Sequence, residues 1–121
     1  MEELNLRNYA YLGDAVWELY IRNKTIRLTN NAKNLHKLTT DKVKTNFQCE
    51  LLHNMTEKLT EEELELTKRA RNLPIPVGRK NIQHEYRQAT AFETLIGWWY
   101  TYDKPRLEKM LNYLEKYILW E

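Results

Sequence analysis

Two acidic side chains are candidates for chemistry: Asp14, in LGDAVWELYI, and Glu93, in ATAFETLIGWWY. Each lies in an otherwise apolar run, and charges are rarely buried without a partner. Each also has a glycine beside it, Gly13 directly before Asp14 and Gly97 one helical turn after Glu93. A glycine inside a helix costs about 1 kcal/mol relative to alanine. It removes the side chain that would keep another backbone or an ion at a distance. Two carboxylates meeting across closely packed helices repel each other unless a cation lies between them. Oxygen ligands with open positions suit Mg²⁺, which takes one or two carboxylates and keeps several waters. Spacing alone leaves a second reading open, in which both acids are solvated or ion-paired and the glycines serve only helix packing.

The elements that must carry these residues are helical almost throughout, by the period of the apolar positions. Leu12, Val16, Leu19 and Tyr20 form one stripe, with Tyr9 a turn earlier. At about 100° per residue, Asp14 points to the other side, among Ala10, Trp17, Glu18 and Ile21. A helix apolar on both sides is usually buried on both sides. The second cover is expected to be another subunit, with Trp17 and Ile21 at a homodimer interface. Thr29-Asn30-Asn31 predicts a break. Leu35, Leu38, Val43, Phe47, Leu51, Leu52 and Met55 then predict one long or two short helices. Thr60 and Glu63 form a capping-box pattern whose helix should end near Asn72, where NLPIPVGRK supplies two prolines and a glycine. Another helix is expected from about Gln83 to Tyr100, burying Phe92, Leu95, Ile96 and Trp99. Glu93 falls just off that stripe, beside Tyr86, Ala89, Thr90, Gly97 and Tyr100. Asp103 and Pro105 open a last helix with Leu107, Leu111, Leu114 and Ile118 inward. The expected fold is all-α, one domain over residues 1–121 with five to seven helices.

Composition narrows the classes. The chain has 121 residues, 42% of them apolar, with four Trp and eight Tyr, which excludes a disordered chain. Cys49 is the single cysteine, so no internal disulfide can form and a reducing compartment is expected. The segment MEELNLRNYAYLGD carries acids and no uninterrupted apolar run, which predicts neither signal peptide nor membrane span and places the protein in the cytoplasm. His36, His53 and His84 lack zinc-ligand spacing, and Cys49 in NFQCELL reads as a packed thiol. Net charge is only +2, but its distribution is uneven. The acidic block TEEELE is followed by KRARN, Lys68 to Asn72, and then by Arg79 and Lys80.

YLGDAV resembles the core of the ribonuclease III signature, E-x-L-E-F-L-G-D-A-V, and TAFETLIG resembles that family's second acidic motif, D-x-F-E-A-x-x-G. YLGDAVWELYIR, NLHKLTT, TEEELELTKRARN and YRQATAFETLIG, in that order, are similar to the short subfamily called Mini-ribonuclease III. The resemblance carries Asp14 onto the signature aspartate and Glu93 onto the second-motif glutamate, both metal ligands. Ala10 and Thr90 replace two further acids of the longer enzymes, as in the short subfamily, and leave the metal count open. No residues after Glu121 are present to form the double-stranded-RNA-binding domain of those enzymes. The resemblance implies an all-helical, homodimeric, Mg²⁺-dependent endonuclease. It would cut both strands of structured RNA, chiefly in maturing large-subunit (23S) ribosomal RNA. The alternative is a non-catalytic RNA-binding member of the same fold, against which the retention of both acids argues. A purely helical protein-interaction module would explain the aromatics but not the two glycine–acid motifs.

Such a catalytic domain must hold its own substrate. A-form duplexes are gripped through phosphates and 2′-hydroxyls across the shallow minor groove. Lys68, Arg69, Arg71, Arg79 and Lys80, flanking NLPIPVG, are the expected grip. Lys68 and Arg69 read equally as a solvated helix end favoured by the dipole. His36 and Lys37 in NLHKLTT are candidates for RNA contact or for a structural role. Arg87, in YRQAT, is placed to reach a phosphate or to pair with an acid.

Overall fold

The computed structural model describes residues 5–75 and 83–120. These form six α-helices: α1 (Leu6–Thr25), α2 (Ala32–Val43), α3 (Thr45–Met55), α4 (Glu61–Arg71), α5 (Gln83–Tyr102) and α6 (Lys104–Leu114). Single 3₁₀ turns follow α3 at Thr56–Lys58 and α6 at Glu115–Tyr117. No strand occurs among the described residues, and no described helix is long and apolar enough to cross a membrane.

Local chemistry sets the helix ends. Asn5 caps α1 through Arg7 N–H, Asn31 caps α2 through Asn34 N–H, and Asp103 caps α6 through Arg106 N–H, with Pro105 in the first turn. Leu35 to Met55 resolves into two helices because Lys44 is extended (φ −76°, ψ 158°) between them. The Thr60/Glu63 capping box closes with both of its hydrogen bonds, 2.9 and 3.1 Å. Glu63 does more than cap. Its carboxylate also accepts from Trp99 Nε1 at 2.8 Å and from Arg106 at 2.8 and 3.0 Å, tying α4 to α5 and α6.

α5 is the central helix. It packs most extensively on α1 and also on α3 and α4, burying Phe92, Leu95, Ile96 and Trp99 as the sequence predicts. The face of α1 that meets it shares Tyr9 with the expected stripe but is turned from the rest of it. Leu6, Tyr9, Gly13, Trp17, Ile21 and Thr25 are buried, while Leu12, Val16 and Tyr20 are half-buried and Leu19 is 60% exposed. Trp17 and Ile21 each have 0% of their surface exposed within one chain, so neither can form a dimer interface. Trp17 stands edge-on to Phe92, with ring centroids 5.0 Å apart, and its Nε1 donates to Lys42 O at 2.8 Å. The second apolar stripe of α1 is covered by this chain's own helices.

Candidate active site

The crossing of α1 and α5 places the two acids. A Cβ built on Gly13 would lie 1.8 Å from the Glu93 carbonyl oxygen, and one on Gly97 would lie 1.9 Å from the Tyr9 carbonyl oxygen. Backbone meets backbone there with no room for a side chain. Asp14, next to Gly13, emerges at the exposed edge of this crossing, and Glu93, one turn before Gly97, is half-buried below it. Both carboxyl groups line the same cleft. Burial pushes the Glu93 carboxyl up to about 9, and the hydrogen bond and negative charge of Asp14 add to the rise. A side-chain hydrogen bond from Gln48 pulls the other way.

Gln48 is the residue that sequence reasoning missed. It is buried in α3, and its Nε2 also donates to Val43 O at 3.2 Å. Its signal is position. Gln48, Leu51, Leu52 and Met55 form the buried stripe of α3, and only Gln48 among them is polar. Arg7 was missed too. It stands seven residues before Asp14, where the signature motif opens with glutamate.

Asp14 and Glu93 open into a cleft of about 350 Å³ walled by Arg7, Ala10, Tyr11, Gln48, Tyr86 and Thr90 among others. Ala10 brings no polar side chain to it, and the Thr90 hydroxyl donates to Tyr86 O in its own helix at 2.9 Å. The protein therefore offers two carboxylates here, and no group of three or more His, Cys, Asp or Glu side chains suited to a metal occurs among the described residues. Two carboxyl groups lining one open cleft form a donor set that a hard divalent cation fits. Mg²⁺ binds through one or two carboxylates and retains water in its other positions.

None of the remaining described candidates lines this cleft. Lys68 and Arg69 are exposed and Arg71 is half-buried in the last turn of α4, with Arg71 Nη1 3.4 Å from Thr67 Oγ1. Arg79 and Lys80 lie outside the described residues. His36 and Lys37 are exposed on α2, where Lys37 pairs with Asp41 at 3.2 Å and His36 Nε2 lies 3.4 Å from Thr40 Oγ1. Arg87 is half-buried on α5 and reaches the end of α4. Its Nη1 donates to Arg71 O and to Leu73 O, at 3.1 Å for the latter, where the last carbonyls of α4 lack intrahelical partners and favour a cation. Cys49 is partly buried, and burial raises its thiol pKa, with Glu85 and Glu50 adding to the shift, consistent with a packed thiol.

Comparison with known proteins agrees with the fold. The ribonuclease III domain model matches residues 7–104. A Mini-ribonuclease 3 from Enterococcus faecalis is 38% identical over 97% of this chain and 92% of its own length. One from a Synechococcus species is 37% identical over 87% of this chain and 76% of its own. A Fusobacterium nucleatum protein of known crystal structure superposes with a TM-score of 0.85 at 32% identity, covering 96% of this chain and 97% of that one. With both acidic motifs joined in one cleft and the domain match spanning them, the chain belongs to the ribonuclease III family.

Proposed function

We propose that this protein is an endoribonuclease that uses Mg²⁺, held by Asp14 and Glu93, to cleave double-stranded or structured RNA. The observation that carries this reading is the meeting of two carboxyl groups from two helices in one open cleft. The Mini-ribonuclease 3 names of the Enterococcus and Synechococcus relatives support the same reaction class. When bound, the ion supplies an activated water and neutralises charge building on the phosphate. Asp14, at the exposed edge, faces the substrate side, while Gln48 holds Glu93 through its amide. Lys68, Arg69 and Arg71, with Arg79 and Lys80, supply the phosphate grip. His36 and Lys37 are further candidates for it. Large-subunit ribosomal RNA precursors in the cytoplasm are the proposed natural substrate.

The working unit we infer is a homodimer, since cutting both strands of a duplex needs two such clefts. Its contact cannot be Trp17 and Ile21. The outer face of α1 is the better candidate, because Tyr11 is 85% exposed and Leu19 60%, with Ala15 between them at four-residue spacing. Tyr11 also walls the cleft, so joining two copies there sets their clefts side by side.

The test is direct. Purified protein incubated with long duplex RNA should yield short duplex products with Mg²⁺ and none with chelator. Binding without cleavage in Mg²⁺ would favour the non-catalytic member of the fold instead.

A further inference from the structure

Each catalytic acid has an arginine about two helical turns before it, and both arginines reach the same run of backbone. Arg7, seven residues before Asp14, donates from Nη2 to Pro74 O at 2.6 Å. Arg87, six residues before Glu93, donates from Nη1 to Arg71 O and Leu73 O. Three carbonyls at the exit of α4 are thus held from α1 on one side and α5 on the other. Arg7, Arg87, Pro74, Tyr86 and Thr90 enclose a gap of only about 10 Å³ between them, too small to hold a water comfortably. Arg7, Tyr86 and Thr90 wall the catalytic cleft as well, so the strapped α4 exit adjoins it.

Besides these bonds and the packing of Leu73 on the core, the end of α4 is held by its own backbone. Its closing backbone bonds, Asn72 N–H to Arg69 O and Leu73 N–H to Ala70 O, are both 3.2 Å long. The last carbonyls of any helix lack intrahelical partners and mark the negative end of its dipole. A guanidinium suits this task better than an ammonium, because its planar fork loses less freedom per bond formed.

We propose that Arg7 and Arg87 are positioning residues that fix the basic end of α4, Lys68 and Arg71, in register with the Asp14–Glu93 cleft. A duplex held by α4 then presents a phosphate to the acids rather than sliding past them. The proposal rests on the reading of α4 as an RNA grip. Arg7 thereby turns a position that is glutamate in the ribonuclease III signature to a different use.

The test compares Arg7→Ala, Arg87→Ala, the double variant, the two Arg→Lys variants and a Lys68→Ala/Arg71→Ala control. Cleavage of long duplex RNA is resolved into KM and kcat, and hydrogen exchange is followed at the Leu73 amide. Losing charge-assisted bonds to the segment should raise KM about tenfold in each alanine variant, with kcat changing much less. Leu73 exchange should quicken, lysine should restore part of both effects, and the double variant should be less than additive because both residues hold one segment. Faster exchange with unchanged KM would overturn the proposal, leaving a purely structural strap. Raised KM with unchanged exchange would overturn it too, since Arg7 or Arg87 would then touch RNA directly. The control separates the premises: if Lys68→Ala/Arg71→Ala leaves KM unchanged, the α4 grip itself fails. If only the control raises KM, the grip stands and the positioning role fails.

Discussion

Gly13 and Gly97 occupy each other's space: a Cβ on either would meet backbone of the partner helix at under 2 Å. Each sits within one turn of one of the two cleft acids, so a single close crossing fixes both. Alanine improves helix propensity at each site by about 1 kcal/mol. Forcing the helices apart costs about 1–3 kcal/mol and often more, so packing wins. Gly13→Ala and Gly97→Ala should each lower Tm and separate the carboxyls. Thermal unfolding and duplex-RNA cleavage measured on the same samples check this. A variant with wild-type Tm and rate would show that the crossing is not what places the acids.

Asp14→Asn and Glu93→Gln should each abolish cleavage while preserving the fold, and the double variant should be no worse than either alone, because both act through one ion. Stability should move the opposite way. Glu93 has its carboxyl raised to about 9 in the metal-free protein. A raised carboxyl favours folding below its unfolded value and loses that benefit as pH rises toward the folded value. In chelator, wild type should therefore weaken between about pH 5 and 9. Glu93→Gln should flatten that slope and be more stable at pH 8 by on the order of 1 kcal/mol. Denaturant melts across this range decide it.

Glu63 has the reverse sign. Burial alone would push its carboxyl up, but Arg106, the Thr60 N–H and the Trp99 N–H outweigh it and hold it below the usual glutamate range. Its contribution to stability is present above the unfolded value and is lost as pH falls through the lower folded one, below about pH 4. Glu63→Gln should cost about 3 kcal/mol at pH 7, because Arg106 loses its buried partner. The gap to wild type should narrow progressively as pH falls below about 4, as measured by urea unfolding at each pH. A constant gap would mean that the charge is not the stabilising feature.

If the outer face of α1 joins two copies, Tyr11→Glu with Leu19→Glu should give a folded monomer at micromolar concentration. Trp17→Glu should instead unfold the chain, since it places a charge in a closed core next to Phe92. Sedimentation and circular dichroism distinguish these outcomes. A wild type that sediments as a monomer would remove the homodimer.

The all-helical fold was legible because period, caps and prolines agree from Thr60 onward: the capping box, Asp103 with Pro105, and the Phe92–Trp99 stripe all form as expected. α1 was misread for an identifiable reason. It carries two apolar stripes, and the true one runs through Gly13 and Thr25, which a count of large apolar residues omits. Tyr9, expected inward, is buried, and the buried face continues from it to Trp17 and Ile21 instead of Leu12, Val16 and Leu19. Within the site, the acids were visible because charge in an apolar run is conspicuous. Gln48 and Arg7 were not, because each is ordinary for its helix and acts only across a tertiary contact.

The phosphate grip can be read from salt. Binding through Lys68, Arg69 and Arg71 should draw much of its free energy from counterion release, so affinity should fall steeply as salt rises. Lys68→Ala/Arg71→Ala should flatten the slope by roughly two phosphate contacts' worth and weaken binding about equally for different RNA sequences. The Arg71 backbone carbonyl that receives Arg87 is untouched by this change, so the end of α4 keeps its strap. Asp14→Asn should do the opposite, losing cleavage while retaining most of the binding and the full salt slope. Duplex-RNA affinity for wild type and both variants, measured from about 50 to 200 mM salt, separates the two roles. An unchanged slope in Lys68→Ala/Arg71→Ala would move the grip off α4 and toward the exposed His36 and Lys37 of α2.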